Sequence, residues 1–253
     1  RSAQNNVVYH FDIEIEADLV EELARLYGYN NIPLGTGHVP QTLGTRPEGQ
    51  LPGSRVRQHL ASLGYQEVIT YSFVEPGLSS LLGASDEETV ALQNPISADM
   101  SVMRTSLLPG LVATFRYNEN RQQSRIRLFE IGQVFRSRGK DIAQPTHVGG
   151  LCSGMRFPQS WCNGKELADF FDVKGDLESL LELGGGKQSV YYRPGGHPAL
   201  HPGQQASVYV GEQLIGCVGA LHPSIERKLG LSQRCFVFEL QLPPILDRNM
   251  PAA

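Results

Sequence analysis

The feature that most constrains the fold is an alternation of helical and strand-like segments along residues 54–240, with no internal repeat. The helical segments place leucines three or four residues apart, whereas the segments between them are short and rich in β-branched and aromatic residues. Helices that alternate with such strands pack on the faces of a sheet. The sequence therefore predicts an α+β fold with a mostly antiparallel sheet flanked by helices.

Local patterns predict the individual elements. Residues 7–15 alternate apolar and polar side chains as a half-buried strand does, and a helix is predicted from Asp18 to Tyr27, followed by Gly28 at its end. Ser54 is a good N-cap for the next helix, which Gly64 ends. The later patterns predict helices over 107–122 and 170–183, and strands over 67–74, 125–136 (a pair about Gly132), 146–153, 205–210, 213–219 and 235–240.

A change of composition suggests where the chain divides. Residues 30–53 are rich in Pro, Gly, Thr and Asn and have few apolar anchors, which is typical of a linker. We therefore predict a small N-terminal piece over 1–35, a linker over 36–53 and a main domain over 54–253. The chain begins Arg-Ser-Ala-Gln-Asn-Asn, without an initiator Met or a secretory segment, as expected of a piece of a longer protein.

Composition argues against several classes of protein. No apolar run approaches the roughly 18 residues of a membrane span, so we expect no membrane insertion. The cysteines at 152, 162, 217 and 235 have neither zinc-type spacing nor the density of a disulfide scaffold, which favours a reducing cytoplasm. A formal charge of −4 gives the whole chain no bulk attraction for phosphates, so any RNA contact must be local.

One basic stretch departs from that average. Residues 104–140 contain eight basic and two acidic residues, a local net charge of +6. Their charged heads either lie in solvent or pair with a neighbouring subunit, or they contact RNA. We favour side chains that lie in solvent or pair with a neighbouring subunit over RNA contact, because phosphate-binding patches usually combine lysines with aromatic residues.

Common catalytic patterns do not occur in the sequence. There is no nucleophile elbow and no phosphate-binding loop of the G-x-x-x-x-G-K-S/T type. His197 and His201 are four residues apart, but Pro198 and Pro202 break any helix there, so we interpret both as turn histidines. The sequence therefore assigns no catalytic and no cofactor-binding residue.

An acidic cluster near the N-terminus is the candidate metal site. Six carboxylates occur between Asp12 and Glu22, and Asp18, Glu21 and Glu22 share one face of the predicted helix. Oxygen ligands of this kind suit Mg²⁺. The spacing from Asp18 to Glu21 is also that of a capping box, and acids in a first helical turn complement the helix dipole, so spacing alone favours a structural role.

Six runs carry a resemblance to a known family: Phe11–Pro33, Leu63–Phe73, Gln93–Leu111, Leu128–Phe135, His201–Gly203 and Gly216–Pro223. They are distributed along nearly the whole chain, and they resemble the β subunit of bacterial phenylalanyl-tRNA synthetase. The first run is similar to the end of the small winged-helix-like domain that precedes the family's core. The remainder is similar to that core, which resembles the catalytic fold of class II aminoacyl-tRNA synthetases.

The resemblance implies a metal, partners and a function. It implies Mg²⁺ shared with the α subunit and held by the acids that match Asp12, Asp18, Glu21 and Glu22. It also implies an α2β2 heterotetramer that binds tRNA as a whole, in which the α subunit activates phenylalanine with ATP and loads it onto tRNA. We expect this chain to support that subunit.

The sequence departs from the motifs with which active class II enzymes hold ATP. Where they have F-R-x-E, this chain has Phe135-Arg-Ser-Arg138, and Gly230-Leu-Ser-Gln-Arg234 replaces a G-x-G-x-x-R pattern. We therefore expect a catalytically silent core, since this chemistry depends on positioned charge. The alternatives are an active class II ligase with drifted motifs, dependent on Arg104 or Arg136, and an RNA-binding module that uses residues 104–140.

Overall fold

The computed structural model describes residues 13–35, 49–139, 141–184 and 190–247, apart from the side chain of Asp86. The chain divides into two compact units between residues 45 and 46. The first unit contains helix α1 (Glu16–Tyr27), and the second contains the sheet and the other helices. We describe the two units separately.

The second unit alternates helices and strands along the chain. Its helices are α2 (Gly53–Ser62), α3 (Pro76–Leu81), α4 (Leu108–Glu119), α5 (Phe170–Leu181), α6 (Pro223–Leu229) and α7 (Pro243–Leu246). Its strands are β1 (Gln66–Glu67), β2 (Phe73–Val74), β3 (Val102–Met103), β4 (Arg125–Gln133), β5 (Arg136–Arg138), β6 (Asp141–Ala143), β7 (Thr146–Gly154), β8 (Val190–Pro194), β9 (Leu200–Val210), β10 (Gln213–Leu221) and β11 (Cys235–Gln241).

Seven of these strands form one sheet in the order β1-β4-β7-β11-β10-β9-β8. All neighbours are antiparallel except β1 and β4, which run parallel. The predicted hairpin joins β9 to β10, where Gly211 has a φ of +57° that glycine adopts without strain. The prediction of a mostly antiparallel sheet flanked by helices is confirmed.

Each face of the sheet has its own apolar core. On one face, Val56 and Leu60 of α2 and Leu177 of α5 pack against strand residues that include Phe129 and Phe238. On the other face, α4 and α6 cover a second group of strand side chains. Among the described residues, no helix is long and apolar enough to cross a membrane.

The predicted strand over 67–74 is wrong in its middle. Pairing with β4 ends after Val68, whose N–H donates to the carbonyl of Phe129 at 2.8 Å. The backbone N–H of Thr70 then donates to the side chain of Glu130, at 3.3 Å, and not to a neighbouring strand. The Glu130 side chain has thus taken the place of a hydrogen bond between strands, and β2 begins only at Phe73.

The predicted strand pair about Gly132 is also wrong. Gly132 lies inside the continuous strand β4, opposite His147 of β7. A Cβ atom at this position would overlap the guanidinium of Arg104, so the glycine makes room for a buried side chain and does not turn the chain. Sequence alone does not distinguish these two uses of glycine.

Two helices begin earlier than predicted. Helix α2 starts at Gly53 with Pro52 as its N-cap, and Ser54 lies within its first turn. Helix α1 starts at Glu16, with Ile15 as its N-cap, so residues 13–15 do not continue the predicted strand. Residues 7–12 of that prediction lie outside the described residues. Asp18 is therefore the third residue of its helix and not the cap.

Candidate functional site

Arg104 and Glu130 form a buried ion pair on the face of the sheet that α4 covers. The Arg104 Nη1 and Glu130 Oε1 atoms are 2.7 Å apart, and both side chains are less than 5% exposed. Arg104 also donates from Nε to the carbonyl of Gln133 at 2.9 Å and from Nη1 to Thr70 at 3.0 Å. Glu130 accepts a further hydrogen bond from the Thr70 hydroxyl at 2.7 Å. The charges neutralise each other inside the chain.

Glu239 of β11 organises a second buried polar cluster. Its carboxylate accepts hydrogen bonds from the Ser106 hydroxyl at 2.5 Å and the Leu107 backbone N–H at 3.1 Å, and it lies 2.6 Å from Nδ1 of His147. Burial alone would raise the pKa of Glu239, but the bonds from His147, Ser106 and Leu107 outweigh burial and lower it. The carboxylate is therefore ionised, and Nδ1 of His147 carries the proton.

A cavity of about 370 Å³ adjoins this cluster. Its lining includes Ser106, Arg136, His147, His197, Cys217 and Glu239. Burial lowers the pKa of His197 and raises the pKa of the Cys217 thiol to about 12. A neutral imidazole and a protonated thiol provide neither a cation nor a ready nucleophile at neutral pH.

Helix α4 covers much of the sheet face that carries these two clusters, and it does so with apolar side chains. Leu108, Leu111, Val112 and Phe115 are all buried. The strands provide space for the helix with Gly149, where a Cβ atom would lie 3.1 Å from the Leu111 side chain. Where α4 covers it, this face of the sheet is therefore packed as a core, and the cavity lies beside that part.

Two arginines of the basic stretch over 104–140 differ from both interpretations offered by the sequence. Arg104 is buried against Glu130, and Arg127 is buried against Asp176, with Nη1 and Oδ2 2.8 Å apart. Neither of these arginines is available to solvent, to a subunit or to RNA. Arg116, Arg121 and Arg138 are exposed, and Lys140 lies outside the described residues.

The positions that match the ATP-binding motifs of active enzymes lie in two places. Arg136 is in β5, half-buried, with its Nε 3.8 Å from the Glu88 carboxylate. Arg234 immediately precedes β11 and donates to Gln204 at 2.6 Å. The segment that contains Arg234 leads into a strand, whereas the expected motif carries additional glycines.

Two of the predicted metal ligands, Asp18 and Glu22, have local partners on α1 or just before it. The Asp18 carboxylate accepts hydrogen bonds from the backbone N–H groups of Glu14 and Ile15, at 2.8 and 2.9 Å, and these bonds lower the pKa of Asp18. Glu22 pairs with Arg25, at 2.6 Å, and Glu21 is exposed. Asp12 lies outside the described residues.

The donor chemistry of these acids fits Mg²⁺, because carboxylates on one exposed turn leave room for the waters that this ion retains. Within residues 13–35, 49–139, 141–184 and 190–247, however, no three acidic, histidine or cysteine side chains are grouped as metal ligands. Among these residues, Asp18, Glu21 and Glu22 are therefore not arranged as a metal site by themselves.

Sequence reasoning missed the two acids that organise the buried clusters. Glu130 and Glu239 each interrupt a short apolar run, in Leu-Phe-Glu-Ile and Phe-Val-Phe-Glu-Leu. An ionisable residue at the centre of an apolar strand is the signal that would have found them, because a buried carboxylate requires partners. The partners themselves come from distant parts of the chain.

The architecture matches a known class of fold. A solved structure of Desulfitobacterium hafniense PylSc, a pyrrolysyl tRNA synthetase, matches with a TM-score of 0.57 and 15% identity, over 76% of this chain and 64% of that one. The antiparallel sheet flanked by helices is the fold of a class II aminoacyl-tRNA synthetase.

The particular family follows from sequence comparison. The family model described as "Phenylalanyl tRNA synthetase beta chain CLM domain" matches residues 32–242. The phenylalanine–tRNA ligase beta subunits of Hahella chejuensis and Photorhabdus laumondii are 49% and 47% identical over 96% and 97% of this chain. The chain belongs to the phenylalanyl-tRNA synthetase β-chain family, and it spans about 30% of the length of these relatives.

Proposed function

We propose that this chain is the non-catalytic core of a phenylalanine–tRNA ligase β subunit. It supports an α subunit that activates phenylalanine with ATP and transfers it to tRNA. The observation that carries the proposal is the internal pairing of Arg104 and Glu130 on a sheet face that α4 fills with leucine and phenylalanine side chains. The assembly is an α2β2 heterotetramer in the cytoplasm, and tRNA binds to the whole complex.

We propose that the core lacks catalytic activity because the N–H groups of Arg104 already donate hydrogen bonds within the chain. An arginine that holds ATP must offer its N–H groups to phosphate oxygens. Arg104 donates to Gln133, Thr70 and Glu130. Taking it from Glu130 would leave a buried carboxylate uncompensated, which costs several kcal/mol. This argues against the drifted-ligase alternative that depends on Arg104.

A surface suited to the α subunit follows β1. Ile69 and Tyr71 are 93% and 71% exposed, whereas the intervening Thr70 bonds inward to Glu130. Successive side chains of an extended segment alternate in direction, so Ile69 and Tyr71 face outward together. Large apolar and aromatic side chains of this kind commonly anchor protein interfaces.

Calorimetric titration tests the proposed function. We expect the 253-residue chain to bind the purified α subunit and not to bind ATP·Mg²⁺ through Arg104 or Arg136. The double variant Ile69→Asp, Tyr71→Asp should bind the α subunit at least about tenfold more weakly, because two charges would lose their hydration on docking.

The matched control is Tyr191→Asp in β8, at the edge of the sheet opposite β1. Tyr191 is 49% exposed, and its replacement should leave the affinity for the α subunit unchanged. Saturable ATP binding that Arg104→Met or Arg136→Met abolishes would favour an active ligase and reject the silent core.

The proposed metal site joins this chain to its partner. Asp18, Glu21 and Glu22, with Asp12, hold Mg²⁺ that is shared with the α subunit, and the ion would neutralise a cluster of carboxylates at the contact. Chelation of Mg²⁺ should therefore weaken the complex, and Glu21→Gln should reduce the amount of chelator required. An affinity that is the same with and without chelator would exclude a shared ion.

A further inference from the structure

A cleft of about 500 Å³ lies on the face of the sheet covered by α2 and α5. Arg125 and Arg127, two residues apart in β4, line it with Arg156, Phe157 and Phe171. We call this the Arg125 cleft. Glu130 is three residues from Arg127 along the same strand and points to the opposite face, so the cleft is separate from the buried clusters described above.

Two of the three arginines in the Arg125 cleft have carboxylate partners. Arg127 pairs with Asp176 at 2.8 Å, and Arg156 pairs with Asp172, with Nε and Oδ1 also 2.8 Å apart. Among the described residues, Arg125 has no carboxylate within ion-pair distance. Arg156 also lies 3.6 Å from the Glu166 carboxylate, so Arg125 is the one arginine of the cleft without an ion-pair partner among the described residues.

The donors in the cleft exceed the acceptors. The Nε atoms of Arg125 and Arg127 are both buried without a hydrogen-bond acceptor among the described residues. Burial, followed by repulsion from Arg127, lowers the pKa of Arg125 and outweighs the attraction of the nearby Asp176 carboxylate. A ligand with acceptor oxygens would give the Arg125 guanidinium a partner, whereas Arg127 already has one in Asp176.

Two exposed aromatic rings complete the Arg125 cleft. Phe157 and Phe171 are 46% and 73% exposed, and the Arg156 guanidinium lies 5.2 Å from the centre of the Phe157 ring. Arginine together with exposed aromatic rings is the combination on which nucleotides bind, with phosphate on the cation and the base on a ring. The volume accommodates a mononucleotide.

We propose that the Arg125 cleft binds the phosphate of a nucleotide, free or within RNA, with Arg125 as its cationic partner and the rings of Phe157 and Phe171 as stacking surfaces for the base. The chemistry is that of a phosphate attached to a nucleoside. A nucleoside without phosphate leaves Arg125 uncompensated and binds more weakly.

The two probes are cytidine 5′-monophosphate and a short single-stranded RNA, and cytidine is the comparison without phosphate; each is titrated into the 253-residue chain. Arg125→Gln should weaken binding of the monophosphate at least about tenfold. With RNA, the logarithm of the affinity should fall less steeply with the logarithm of salt concentration, by about 0.7 in slope for one lost phosphate contact.

Gly175→Leu provides a second variant that tests the space and not the charge. Gly175 lines the cleft on α5, and a Cβ atom there would meet no atom within 4 Å. Leucine is also a better helix former than glycine, so the fold should persist while the side chain occupies the cleft. We expect this variant to lose monophosphate and RNA binding with an unchanged unfolding temperature.

Arg193→Gln in β8 is the matched control, because it removes the same charge from an exposed arginine outside the cleft. Its binding of both probes should equal that of the unaltered chain. Equal weakening by Arg193→Gln and Arg125→Gln would mean attraction by overall charge and would reject the site. RNA binding without monophosphate binding would identify RNA as the source of the phosphate.

Two other outcomes overturn the proposal. They are failure of both probes to bind, and an Arg125→Gln variant that loses affinity for the α subunit while it binds nucleotide normally. The ATP titration of the proposed function is repeated on Arg125→Gln to keep the two conclusions distinct. If Arg125→Gln no longer binds ATP, the ATP bound by the unaltered chain lies in the Arg125 cleft. If Arg125→Gln still binds ATP, the binding lies elsewhere and contradicts the proposed non-catalytic core.

Discussion

Replacement of Glu130 by leucine is expected to lower the free energy of unfolding by about 3–5 kcal/mol. Glu130 and Arg104 are 3% and 4% exposed, so the substitution leaves a guanidinium deep in the chain without its anion. Thr70 loses its acceptor at the same time. Urea denaturation of the variant and the unaltered chain measures the difference.

The expected loss comes from the unpaired charge and not from the missing contact. The double variant Arg104→Met, Glu130→Leu should therefore recover much of the stability, because well-packed apolar side chains substitute for a buried ion pair at little cost. Glu67→Gln is the control for an exposed pair, since Glu67 and Arg57 are 37% and 46% exposed, and it should cost less than about 1 kcal/mol. Equal losses for Glu130→Leu and Glu67→Gln would contradict the argument.

The class of fold was predictable because its long elements have strong local patterns. Helix α5 has a capping Asp169 and buries Val173, Leu177 and Leu180 on one face, so its type and its start are both encoded locally. The hairpin of β9 and β10 is similar, because Gly211 marks a turn between two β-rich runs. Such elements require no knowledge of their neighbours.

The elements that failed depend on distant side chains. Residues 67–74 have strong β propensity, yet Glu130, about sixty positions along the chain, takes the N–H of Thr70 and ends the ladder. Gly132 is typical of a turn in the sequence, but in the structure it makes room for the Arg104 side chain. Propensity describes a residue's preference, whereas pairing depends on which residues fold against it.

The candidate site divides in the same way. The acids at 18, 21 and 22 were visible in the sequence because they lie on one helical turn, and their metal role remains a proposal. The cluster of Glu239, Ser106 and His147 was not visible, since it joins three segments across the sheet. The lack of an ion-pair partner for Arg125 was hidden as well, because the sequence shows eight basic residues without showing which two are buried in ion pairs.

Replacement of Glu239 by glutamine should also lower the free energy of unfolding by about 2–4 kcal/mol at neutral pH. The carboxylate accepts from Ser106, Leu107 and His147, and it is 8% exposed. Glutamine has nearly the same shape but offers one acceptor oxygen and two N–H donors to surroundings that are themselves donors. At least one buried donor is left without an acceptor, and denaturant unfolding measures the loss.

The pH dependence distinguishes loss of charge from loss of shape. The native pKa of Glu239 lies below its ordinary value of 4.5, so its ionised form stabilises the fold above that value and the contribution disappears as pH falls through the native pKa. The difference in the free energy of unfolding between the unaltered chain and Glu239→Gln should therefore become smaller from about pH 5 downward. Glu212→Gln, in the exposed turn between β9 and β10, should keep the unaltered pH profile. A difference for Glu239→Gln that stays constant with pH would assign its cost to packing and reject the ionised cluster.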